Sequence, residues 1–111
     1  MKKITAYKVF NPDWTCRGFK YEVGKTYSMK EKPELCNVGF HACAKVAKCF
    51  DYYSFNIENK IAIVEMWGDI VGDENDKFAS NNIKIVKELS WNEMLLLANT
   101  GNGNTGLSNT G

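Results

Sequence analysis

No apolar run in this 111-residue chain approaches the ~20 residues that a membrane-spanning helix requires. The N-terminal stretch MKKITAYKVFNPDW also lacks a continuous apolar segment, because Tyr7-Lys8 and Asn11-Pro12-Asp13 interrupt it, so it does not read as a signal peptide. Charge of one sign is missing too. Fourteen basic against 13 acidic residues leave a net +1, which provides no electrostatic footprint for nucleic acid or for an acidic membrane surface. These absences place the chain in the cytoplasm, with no nucleic acid and no membrane among its expected partners. Catalytic and metal signatures are equally thin: the chain has one histidine, His41, one arginine, Arg17, and no Cys-x-x-Cys knuckle.

What is present suits one folded domain. At 44% hydrophobic and 13% aromatic residues, a chain of this length can bury roughly two-thirds of its unfolded surface, so it needs neither metal nor disulfide to fold. The four cysteines, Cys16, Cys36, Cys43 and Cys49, would suggest disulfides in a secreted protein. In a reducing compartment they are read as thiols, zinc ligands or a nucleophile, and buried thiols are the expectation.

Periodicity predicts the elements. ITAYKVF (residues 4–10) is β-rich and Asn11-Pro12-Asp13 stops it. In RGFKYEVGKTY, Phe19, Tyr21 and Val23 alternate with Lys20 and Glu22, which predicts a half-buried strand, a Gly24-Lys25 hairpin turn, and a returning strand from Tyr27. VGFHAC reads as a strand running into a helix whose apolar positions are Cys43, Val46, Ala47 and Phe50. IAIVEMWGDIV (61–71) is apolar on both faces and predicts a central strand. GDENDKFASNN reads as a polar connector and IKIVKEL (83–89) as another strand. Ser90-Trp91-Asn92-Glu93 has the form of a capping box opening a short apolar helix. The sum is an α+β domain with a mixed or mainly antiparallel sheet over residues 1–98.

The last residues differ in kind. Asn-Thr-Gly recurs at 99–101, 104–106 and 109–111, a period of five. We read 99–111 as the start of a repeat tract, too short to close a coil and expected to be disordered, at the edge of a longer protein.

The stretches YKVFNPDWTCRGFKYEVGKTY, LCNVGFHAC, FDYY and IKIVKELSW together resemble an uncharacterised domain family of phage and prophage proteins. Its members share R-G-F-x-Y-x-V-G-K-x-Y and C-x-x-G-F-H-x-C motifs and are often followed by Asn/Gly-rich repeats. The resemblance covers about residues 6–92 and implies no assigned activity.

Candidate site residues follow from their chemistry. On a strand His41 and Cys43 share one face, ~7 Å apart, while Phe40 and Ala42 share the other. A zinc site from Cys36, His41, Cys43 and Cys49 (or Cys16) is the metal alternative, although no metal or cofactor is expected. Arg17 and His41 are the candidate binding residues, the first because one guanidinium among 13 lysines suggests a need for its planar fork. Glu65 shares a strand face with Ile61, Ile63, Trp67 and Val71, an anomalous place for a carboxylate. GDENDK departs from the calcium-loop pattern.

Two function classes follow. The first is a non-enzymatic binding or assembly head, its partner expected to be another protein, with Arg17 and His41 in a shallow patch and His41 titrating near ~6.5. The second rests on a loose resemblance of AYKVF, GFHACAKVAKCFDYY and IAIVEMWGDIV to the ADP-ribosyltransferase core. It implies an NAD-dependent enzyme with a tyrosine-walled cleft and Tyr7, His41, Tyr53 and Glu65 as candidate catalytic residues. That motif set is incomplete: Cys43 stands at the Ser/Thr position and no Glu-x-Glu or Gln-x-Glu closes it. Any site is expected where GFHAC passes between the hairpin carrying Arg17 and the strand carrying Glu65.

Overall fold

The computed structural model describes residues 3–35, 38–49, 56–72 and 77–99. Phe50, Tyr53, Cys36 and the repeat tract beyond Asn99 lie outside them, and with them the expectations placed there.

Strand β1 (Lys3–Phe10) is followed by the short strands β2 (Thr15–Cys16), β3 (Phe19–Lys20) and β4 (Thr26–Ser28). Then come β5 (Phe40–Cys43), the one-turn helix α1 (Val46–Cys49), the long strands β6 (Lys60–Gly72) and β7 (Lys77–Leu89), and helix α2 (Trp91–Asn99). The main sheet is antiparallel, in the order β4-β7-β5-β1-β6, and β6 also pairs with β7. The second pairing joins β7, β5, β1 and β6 into a closed ring. The domain is α+β.

β6 has a ladder partner on each side, as expected of a strand apolar on both faces: β1 from Lys3↔Trp67 to Phe10↔Lys60, and β7 from Ile61↔Leu89 to Gly72↔Phe78. Period-2 alternation divides the buried residues between the two faces. One face carries Ala6, Phe10, Phe40, Ala42, Ala62, Val64, Met66, Ile83 and Ile85, and the β2–β3 hairpin adds Cys16 while the segment after it adds Tyr21. The other carries Val9, Cys43, Ile61 and Leu89, covered by Val46 and Cys49 of α1 and Met94 of α2. Each fully buried large side chain here, such as Phe10, Met66 or Ile83, contributes about 1.5–3 kcal/mol of transfer free energy.

α2 begins where the capping box places it. The Glu93 amide donates to Ser90 Oγ at 3.1 Å, and the Ser90 amide donates to Glu93 Oε1 at 2.9 Å. Two other expectations need correction. The hairpin turn is Arg17-Gly18, with φ of 55° and 82°, between the Cys16↔Phe19 pair, and not Gly24-Lys25. Two successive positive φ values are what a type I′ hairpin requires, and Gly18 takes the second without strain. The chain after β3 leaves its neighbour: Gly24 N donates to Ile85 O at 2.6 Å, and β4 pairs with β7 instead. Of the expected half-buried face only Tyr21 is buried, with Phe19 and Val23 exposed.

The second correction concerns 77–82, read as connector but found in β7. Ladders to β5 and β6 on its two edges outweigh the poor strand propensity of Ser80, Asn81 and Asn82. Those polar side chains fill the irregularity between Trp67 and Ile70: Asn81 Oδ1 accepts the Asp69 amide at 3.0 Å, and Asn82 Nδ2 donates to Trp67 O at 3.3 Å. In α1, Val46 and Cys49 are buried as the helical spacing implies, but Ala47 is exposed.

Candidate functional site

The segment 15–31, which runs from β2 through β4, folds over the end of β5 and leaves a cleft of about 700 Å³. Phe19, Tyr21, Tyr27 and Phe40 wall it, and Arg17 and Glu31 also line it. The rings meet edge to face: Phe19–Tyr21 at 4.8 Å, Tyr21–Tyr27 at 5.1 Å and Phe19–Tyr27 at 5.4 Å between centroids. The Tyr27 hydroxyl accepts the Glu22 amide at 2.8 Å, which locks that ring to the loop opposite. Gly39 brings β5 to the cleft with a φ of 112°, and a Cβ there would stand 2.9 Å from Ser80 O and 3.0 Å from Pro33 Cβ. Only glycine fits this approach.

Arg17 and His41, the two candidate binding residues, therefore line one cleft. Arg17 sits exposed at the turn, held there by its left-handed backbone. His41 is buried and hydrogen-bonds the Glu34 backbone. Burial, together with the nearby charges of Lys8 and Arg17, lowers its pKa to about 4. The imidazole is neutral at pH 7, and the site is a cleft. Both findings correct the expectation of a shallow patch with an ordinary histidine.

The remaining candidates lie elsewhere. Tyr7 pairs with Cys43 and Ile63 and packs with the Val9 face, where burial raises its pKa. Glu65 pairs with Thr5 and Lys84 on β6 and is not part of the cleft lining. Neither Tyr7 nor Glu65 is among the residues that line the cleft with His41, and Tyr53 lies outside the described residues. The thiols are divided: Cys16 belongs to one core face, Cys43 and Cys49 to the other, and Cys49 Sγ donates to Tyr7 O at 3.5 Å. Among the described residues, no three His, Cys, Asp or Glu side chains are grouped to hold a metal ion.

The residue that sequence reasoning missed is Lys8. Its parity with Ala6 and Phe10 places it on the apolar face of β1, and that spacing was the available signal. It is 3% exposed, donates from Nζ to the His41 carbonyl at 2.6 Å, and hydrogen-bonds the Cys16 thiol. The Phe10 and Tyr21 rings stand 5.8 and 5.6 Å from Nζ. Among the described residues no carboxylate pairs with it. Desolvation lowers its pKa, opposed by Cys16, Cys43 and Cys49. The lining of the cleft includes this lysine.

This geometry belongs to a known sequence family. The chain is a member of the family described as a domain of unknown function (DUF7666), which matches residues 4–97. No curated protein and no solved structure shows a significant match. Among the described residues no helix is long and apolar enough to cross a membrane.

Proposed function

We propose that this DUF7666 domain is a non-enzymatic binding module, the head of a longer phage-derived protein that continues into the Asn-Thr-Gly repeats. Its ligand carries a carboxylate beside an aromatic or apolar body. The observation that carries this reading is the convergence of Arg17 with four aromatic rings in one cleft. A guanidinium at the rim offers a planar fork to a carboxylate, and the ring wall offers an apolar surface to the rest. Neutral His41 adds a polar group without adding charge, and the Tyr27 hydroxyl is held by the Glu22 amide. A free aromatic acid and the C-terminal residue of a partner protein share this chemistry.

Titrating phenylacetate, and separately a short peptide ending in phenylalanine with a free or an amidated C-terminus, tests the reading by NMR. Saturable shifts confined to the cleft lining and weakened in Arg17→Ala are expected. Preference for the free-carboxylate peptide over phenylacetate would identify a protein partner, and the reverse a small molecule. Silence of the lining with both probes would overturn the reading. Saturable shifts with NAD alone would favour the transferase alternative.

A further inference from the structure

A buried lysine is costly unless it is paired, and this one has no acid among the described residues. Replacing Lys8 by an apolar residue would complete the Ala6–Phe10 stripe of β1, so its presence in the core needs another reason. Its surroundings fix the amine in place. Nζ is held by the His41 carbonyl at 2.6 Å and by the Cys16 thiol, between the Phe10 and Tyr21 rings. Cys16 is followed directly by Arg17, so the same hairpin positions the amine's thiol partner and the guanidinium at the rim. Lys8, 3% exposed, and the exposed Arg17 line the same cleft.

We propose that Lys8 is a nucleophile that captures a carbonyl ligand as a reversible imine, and that the ligand class is an aromatic or apolar 2-oxo acid. This rests on the binding reading above and adds the covalent bond and the carbonyl. The lone pair on Lys8 Nζ attacks the carbonyl carbon. The carbonyl π electrons move to its oxygen, which takes a proton that the nitrogen releases, and a carbinolamine results. The nitrogen lone pair then expels the hydroxyl, which leaves as water carrying the second proton that the nitrogen gives up, and a C=N bond remains. One carbonyl compound and one amine become one imine and one water, with no oxidant or reductant. Burial disfavours the ammonium form of Lys8 and so favours the amine, whose lone pair this attack requires. The carboxylate next to the ketone faces Arg17, and the aromatic body lies against Tyr21, Tyr27 and Phe19.

The test is reductive trapping. The whole chain is incubated with phenylpyruvate and a mild borohydride at pH 7, and peptide mass mapping locates the reduced secondary amine. Labelling concentrated at Lys8 over the other 12 lysines, and absent in Lys8→Met, is expected. Arg17→Ala should raise the phenylpyruvate concentration needed for half-labelling roughly tenfold, as loss of a charge-assisted hydrogen bond implies. It should leave labelling by phenylacetaldehyde, which has no carboxylate, unchanged. Adducts spread over surface lysines with Lys8 unmodified would overturn the proposal. If phenylacetate still perturbs the cleft in that case, only the covalent step fails. If it does not, the binding reading fails with it. A cooperative urea-unfolding transition of Lys8→Met shows that the variant is folded.

Discussion

Lys8 and His41 are joined across the β1–β5 boundary, the lysine ammonium or amine donating to the histidine backbone carbonyl at 2.6 Å while depressing the basicity of the imidazole of the same residue. Both groups titrate below their ordinary values, and both do so chiefly because the fold takes them out of water.

For Lys8 the sign is set by its lowered pKa. Between the folded value and the ordinary ~10.4 the unfolded chain holds a proton that the folded chain has lost, so stability rises with pH in that window. Lys8→Met removes this dependence, while the loss of the donor to the His41 carbonyl costs the same at every pH. Its stability relative to wild type should therefore be highest at pH 7 and shrink by pH 10, with a slope of at most ~1.4 kcal/mol per pH unit. Urea unfolding of both proteins at the two pH values measures this. Parallel curves would contradict a depressed Lys8.

His41 predicts acid sensitivity. Its folded pKa of about 4 lies below the unfolded value, so its contribution is whole above pH 6.5 and is lost as pH falls toward 4. The imidazole carbon-bound proton resonances should show no midpoint between pH 6 and 7, and His41→Gln should flatten the stability profile between pH 6.5 and 4.

Gly39 is the backbone position on which the cleft depends. Gly39→Ala forces a side chain into a φ of 112° against Ser80 O and Pro33, and should cost about 1–3 kcal/mol. The Tyr27 and His41 resonances should move with it, because β5 cannot keep its approach. A neutral substitution in thermal melts would show that the loop yields.

Ser90→Ala should cost about 1 kcal/mol by leaving the Glu93 amide without its acceptor. Adding Glu93→Gln should cost less than the sum of the separate losses, since the two hydrogen bonds form one reciprocal box. Additive losses in denaturant titrations would show independent caps.

The thiols make a metal prediction. Cys16, Cys43 and Cys49 are buried in two separate faces, so excess chelator should leave the thermal melt unchanged. A melt lowered by chelation, with zinc released, would restore the zinc alternative.

Local signals carried much of this protein into its sequence. The two-faced apolar run of β6, the Ser90–Glu93 box of α2 and the opposite faces of Phe40 and Cys43 depend on period and capping, which a short window contains. Strand partners do not, because pairing is decided by whichever edge is open. Tyr27 and its neighbours joined β7, and Asn81 and Asn82 became strand because their side chains repair an irregularity in β6. The site was half legible. Arg17 and His41 stood out by scarcity, and the closed ring brings them to one cleft while leaving Glu65 outside its lining. Lys8, one lysine among 13, became exceptional only when the hairpin at Arg17-Gly18 folded over it and withdrew it from water. Burial belongs to the assembled structure, since it depends on residues distant in sequence closing around the same atom.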